Sequence, residues 1–429
     1  MAFEENRCNR VYVLGEVRPR GSKTDRREVD DRNADMPSRM GSALERRELR
    51  EEFDELSELF VEFMQFQDYR DDVLVILEMI VQSMEDCLED LREAERYWNY
   101  KCAVGNVPRA IADFDDEWLR QHCRFVGWEV RELMRILQVP AIIKVPGSGR
   151  VFTGEEGMLV MLRRLASLEN LSHLSPTFDR LPTAISELHN AMLDHVYPYA
   201  KRALRLEVWE DDLPRLAQEL HQQGCLIPTC CGFIDGTIFK IRRPTEGEDA
   251  AYNGWKRVHA TKCQAVVLAN FMIADYDGPH AGSAGDGNIL RRSNVEERLR
   301  NINQRLGCAV SIYGDAAYSL STVIHRPHRG NRGALSASEA AFNEEMSSFR
   351  QTVEWMFGKI EQLWPLVGDK TRRSIMLRQT GKEDVIAALL TNFHTCLCGG
   401  VTTDYLGIAP PTLQEYERLI SRTEHSTCG

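Results

Sequence analysis

The chain contains no run of about 18 consecutive apolar residues, so the sequence predicts no membrane-spanning helix. Its first residues are polar and charged and lack the apolar stretch of a secretory leader, so secretion is not expected. The 12 cysteines do not fall into a disulfide framework, and reduced thiols in the cytosol or nucleus are expected. Cys230-Cys231 and the segment His394-Thr395-Cys396-Leu397-Cys398 each offer one candidate ligand pair, short of the two paired sets of structural zinc; they read as buried thiols. Positive charge is scarce in one place. Residues 42–100 hold 18 acidic and 6 basic side chains, a difference of 12 that equals the net charge of −12. The rest of the chain is close to neutral, so local basic surfaces able to meet nucleic acid remain open.

What is present suffices for two or three domains in 429 residues. Residues 1–41, rich in Arg, Asp, Asn and Gly without periodicity, read as a disordered arm. Residues 42–106 read as an acidic helical hairpin broken near Gln67-Asp68-Tyr69. From 107 to 225 the pattern is helical, with helices expected over 114–137, from Thr153 to about Leu168, and over 175–178 and 183–199. Thr153 and Glu156 form a capping-box pattern, and Val145–Gly149 reads as a loop. This region is open to a helix-turn-helix or to pure packing, since 183–199 holds no Lys or Arg. From 226 the grammar changes. Strands are expected over 231–241, 262–275 and 308–314, with helices over 287–306, 337–364 and 382–397. That alternation indicates an α/β layer fold with a mixed sheet. A tail over 400–429 carries one short helix at 412–421.

Three acids stand out. Asp235 lies inside the apolar strand Gly232–Ile241, where an unpaired charge is costly unless it is paired or binds metal. Asp315 ends the short strand Ala309–Gly314, the position where open α/β sheets bind ligands. Glu354 borders the apolar stripe Phe349, Val353, Met356, Phe357 and Ile360 of a helix. If they converge, such carboxylates hold hard divalent cations. Spacing alone does not distinguish that site from solvated acids.

Several motifs occur in order: Phe233-Ile234-Asp235-Gly236-Thr237 with Arg243-Pro244; Tyr252-Asn253-Gly254-Trp255-Lys256-Arg257-Val258-His259 with Lys262 and Gln264; Gly278-Pro279 through Gly282, Asp286 and Ser293; Gly314-Asp315-Ala316-Ala317-Tyr318; and Arg350, Val353-Glu354, Phe357-Gly358 with Trp364. In these words the region 229–397 resembles the endonuclease domain of PIF/Harbinger transposases and their domesticated nuclease relatives. The resemblance implies an RNase H-like mixed β-sheet domain over 226–399, with helices on both faces, preceded by an all-α N-terminal region. It also implies a metal-dependent DNA endonuclease or transposase. Asp235, Asp315 and Glu354 would be its catalytic triad, holding two Mg²⁺ or Mn²⁺ ions. The alternative within the same family is a domesticated protein that binds DNA or protein without cleaving. The family's glycine-rich loop usually carries His-Asp where this chain has Gly285-Asp286, which keeps Asp286 as a fourth acid beside the metal site.

For DNA contact the resemblance adds Lys256, Arg257, His259 and Lys262, then Arg326 and Arg329, with Arg350 one turn before Glu354 and able to pair with it. Lys370, Arg372, Arg373 and Arg378 form a further basic loop read as near DNA. Trp255 is open to base stacking or to a core or lid role. By family analogy the partners are DNA, a Myb-like DNA-binding protein and further copies of the chain, with no membrane, in the nucleus or also the cytoplasm.

Overall fold

A computed structural model describes residues 108–330, 335–375, 377–399 and 405–426. The expected arm over 1–41 and acidic hairpin over 42–106 lie outside the described residues.

The first half is mostly helical: α1 (Asp116–Cys123), α2 (Gly127–Ile136), α3 (Gly154–Leu165), α4 (Leu171–Phe178), α5 (Pro182–Ala203) and α6 (Leu213–Gln222). The expected single helix over 114–137 breaks at Arg124, which turns left-handed with φ 71° and caps α1. The expected all-α character of this region is corrected by a hairpin, β1 (Ile142–Lys144) with β2 (Val151–Thr153). Ile143 and Phe152 face each other and point inward while their neighbours stay exposed or half-buried. The short period-2 alternation was hidden by the glycines between the strands. Gly147 and Gly149, at φ 88° and 67°, turn the chain back in a conformation other residues rarely adopt. Thr153 then caps α3, its side chain accepting from the Glu156 N–H as the capping pattern predicts. α5 is 22 residues long, and its apolar stripe packs on α3, on α4 and on a later helix, α12 (Thr380–Cys398).

The second half builds a sheet from β3 (Cys230–Lys240), β4 (Tyr252–Asn253), β5 (Val258–Leu268), β6 (Ile273–Ala281), β7 (Ser311–Tyr313) and β8 (Ile324–His325). The main strand order is β6-β5-β3-β7-β8, with β4 pairing at the start of β5. β3, β5 and β6 are antiparallel; β7 runs parallel to β3, and β8 parallel to β7. The single strand expected over 262–275 is two strands joined at Ala269–Met272, where Phe271 takes a left-handed φ of 64°. The helices of this half are α7 (Glu248–Ala251), α8 (Asp286–Ser293), α9 (Val295–Leu306), α10 (Ala337–Leu363), α11 (Pro365–Gly368), α12, and α13 (Leu413–Ser426). The helix expected over 287–306 is split at Asn294, again left-handed at φ 54°. α6 and α10 pack on β3, α12 packs on β6, and α8 packs on β5. One continuous apolar core runs from Ile111 to Ile420 through both halves. Among the described residues no helix is long and apolar enough to cross a membrane.

Candidate active site

β3 is fully buried from Cys230 to Ile234 and first becomes half-buried at Asp235. A strand covered on both sides reads as a continuous apolar run, and the first carboxylate marks where it leaves the core. Cys230 and Cys231 are buried thiols, as expected, while Cys396 is only partly buried and Cys398 is exposed. On one side β3 pairs Asp235 with Ala265 of β5. On the other, the parallel register sets Phe233 against Tyr313 of β7. Two residues further along the two chains come Asp235 and Asp315. Asp315 Oδ1 accepts from the Ala317 N–H at 2.8 Å, which closes the turn after β7.

Glu354 arrives on α10, a 27-residue helix started by a capping box between Ser336 and Glu339. Arg350, one turn earlier, joins the two acids: its Nη1 lies 2.5 Å from Asp235 Oδ2 and its Nη2 lies 2.5 Å from Glu354 Oε1. The expected pairing of Arg350 with Glu354 is therefore present, and it extends to Asp235. Burial pushes the Asp235 carboxyl up to about 6; Arg350 and the Gly236 N–H oppose the rise, and the charges of Asp315 and Glu354 add to it. The three acids thus share one electrostatic field. The Asp235 side chain is 17% exposed and the Glu354 side chain 50%, so the cluster opens to solvent on the helix side.

Asp286, the first residue of α8, stands on the far side of Asp235. Its Oδ1 accepts from Lys262 Nζ at 2.7 Å, and the same Nζ donates to the Ala284 carbonyl at 3.1 Å. A Cβ added at Gly236 would sit 2.7 Å from Asp286 Oδ1, so only glycine lets the acid lie against this strand. Tyr318, fully buried, has a hydroxyl with no hydrogen-bond partner. Burial raises its pKa, and the charges of Asp235, Asp286 and Asp315 raise it further, which places the phenol among the same acids. Sequence reasoning missed Tyr318; its place in the Gly314–Tyr318 motif was the available signal.

Among the described residues no set of three or more His, Cys, Asp or Glu side chains closes into a metal-ligand cluster. The physical reason is Arg350, whose guanidinium stands between Asp235 and Glu354 as a stand-in cation. The donors are of the right kind for Mg²⁺ or Mn²⁺, all carboxylate oxygens. A metal would take over contacts that Arg350 now makes.

The basic residues divide. Lys256 and Arg257 are exposed at the turn between β4 and β5, beside Trp255, which is 90% exposed and so has no core role. Arg326 and Arg329 both donate to the carbonyl of Ala316, the residue after Asp315. His259 and Lys262 are already engaged, with Glu248 at 3.1 Å and with Asp286. The basic loop from Lys370 to Arg378 is corrected. Arg373 is wholly buried, pairs with equally buried Asp384 and donates to Thr261 Oγ1 at 3.1 Å. Arg378 pairs with Glu383, and Arg372 bonds Asn170. This stretch ties α12 to β5 and to the helical half, because guanidinium forks suit buried carboxylates as well as phosphates.

Comparison with known proteins assigns the class. Residues 234–392, which include Asp235, Asp286, Asp315 and Glu354, match the model of the family described as DDE superfamily endonuclease, and this stretch of the chain is a domain of that kind. Over 231 residues the chain is 23% identical to Protein ALP1-like of Arabidopsis thaliana, covering 51% of this chain and 55% of that protein. The chain therefore spans about half the length of the curated relative it matches. No solved structure matches it.

Proposed function

We propose that residues 226–399 form an RNase H-like nuclease domain that cuts DNA phosphodiester bonds, with Asp235, Asp315 and Glu354 as the acids that place divalent metal. The observation that carries this reading is the meeting of Asp235 and Glu354 on one guanidinium, with Asp315 in the same field, where the central strand leaves the core. The strand order β6-β5-β3-β7-β8, three antiparallel strands followed by two parallel ones, supports the RNase H-like assignment. Bound Mg²⁺ or Mn²⁺ would supply Lewis-acid stabilisation of the attacking and leaving oxygens. The chain's own residues do the rest. Asp235, Asp315 and Glu354 fix the cation position, with Asp286 held back by Lys262 as an acid in reserve. Arg326 and Arg329, anchored beside Asp315, and exposed Lys256 and Arg257 supply phosphate contacts. Strand transfer by the freed 3′-hydroxyl is part of the same proposal.

The seat of Arg350 supports a second reading, a domesticated DNA- or protein-binding relative in which the guanidinium permanently holds the cation's place. A supercoiled-plasmid nicking assay in Mg²⁺ or Mn²⁺ separates the two. The nuclease reading expects nicking by wild type and none by Asp315→Asn. Equal behaviour of the two proteins overturns it. Residues 42–106 as an acidic hairpin, 107–225 as a helical domain, assembly into homo-oligomers, nuclear residence and recruitment by a Myb-like protein belong to this proposal. Selection of terminal repeats over random DNA by the purified chain alone would remove the need for that partner.

A further inference from the structure

A second cavity, of about 480 Å³, lies where the 3₁₀ turn Leu206–Asp212, the β5–β6 turn and α13 meet. Two buried polar side chains line it. Trp209 is 1% exposed, and its indole N–H has no hydrogen-bond partner. Asn270 is 2% exposed and uses its Oδ1 to accept from the Met272 N–H at 3.3 Å. A buried donor without an acceptor costs free energy unless something fills the role.

The same cavity is lined by Arg418 and Arg422, one turn apart on α13. Like charges at that spacing destabilise a helix by a few tenths of a kcal/mol unless an anion offsets them. The acids at the rim are committed elsewhere. Glu415 accepts from the N–H and hydroxyl of Thr412, both at 2.8 Å, as the cap of α13. Asp212 is taken by Arg215, which also pairs with Glu219 at 2.8 Å. Arg422 reaches only an exposed Asp211 at 3.7 Å. Orphan indole donor, buried amide and two guanidinium groups together suit a tetrahedral oxyanion, which accepts from several donors at once.

We infer that this cavity is a binding site for a phosphate group, carried by a small molecule or by a nucleic-acid backbone. It does not rest on the nuclease reading, since none of the acids of that site takes part. The test uses the full chain labelled with ¹⁵N at the indoles of its seven tryptophans. Inorganic phosphate, an unphosphorylated thymidine oligonucleotide and sodium chloride at matched ionic strength are titrated separately, with calorimetry as a second readout. A saturable shift of the Trp209 resonance with inorganic phosphate supports the site and assigns a small phosphate-bearing ligand. Saturation by the oligonucleotide alone supports it and assigns backbone phosphodiester. In either case Arg418→Gln with Arg422→Gln, both surface changes, should weaken binding at least about tenfold. No saturable shift with either probe, an equal shift with sodium chloride, or unchanged affinity in the double variant overturns the proposal.

Discussion

Asp235 and Arg350, 115 residues apart in sequence, meet at 2.5 Å in a half-buried contact. The contact neutralises the one acid that burial would otherwise keep protonated. Arg350→Ala should cost about 1–3 kcal/mol of stability in metal-free buffer, the scale of losing a charged hydrogen-bond partner. Saturating Mn²⁺ should recover most of that loss by occupying the same place. Urea unfolding with and without Mn²⁺ reads both effects, and no recovery with metal would place the cation elsewhere.

Gly236→Ala tests the approach of Asp286. The new methyl would meet Asp286 Oδ1 at 2.7 Å, and Lys262 holds that oxygen from moving freely. The expected cost is about 1–3 kcal/mol, the scale of overpacking. By contrast, a Cβ at Gly285 meets nothing within 4 Å, so Gly285→His should be accommodated within about 0.5 kcal/mol. Thermal unfolding of the two variants should separate them clearly.

The buried pair of Arg373 and Asp384 gives the largest expected loss. Asp384→Ala strands a guanidinium that is wholly buried. Removing one partner of such a pair costs about 3–5 kcal/mol. Chemical denaturation should show that drop. DNA affinity measured on the fraction still folded should stay unchanged, because Arg373 does not reach the surface.

His394 sets the acid limb of stability. Its Nδ1 is buried without a hydrogen-bond partner, and its ring lies edge-on to Phe125 at 6.0 Å. Burial pushes its pKa down to about 4 from 6.5, with Lys359 and Arg124 adding to the fall. Across that window the unfolded chain binds more protons than the folded one, so stability rises with pH. The contribution is complete above pH 6.5 and is lost as the pH falls through about 4. Melting temperatures recorded across this range should fall toward acid in wild type and fall less in a His394→Gln variant.

The strand around Asp235 was legible because its apolar run and its one carboxylate are local signals. Glu354 and Arg350 were legible because their four-residue spacing is fixed by the helix itself. The meeting of Arg350 with Asp235 was not, since no local rule links positions on different elements. Arg373 misled for a related reason. A guanidinium looks the same in sequence whether its carboxylate is a DNA phosphate's rival on the surface or Asp384 in the core. The breaks at Arg124, Phe271 and Asn294 were hidden because residues other than glycine seldom turn left-handed.

The continuous core also bears on inheritance. β3 leans on α6, whose buried Leu213, Leu216, Ala217 and Leu220 belong to the helical half, and α12 leans on α5. Recombination that carried residues 226–399 alone into another gene would deliver a sheet with its apolar backing stripped away, prone to aggregate before it could bind anything. The nuclease segment can be passed on only together with the helices that precede it.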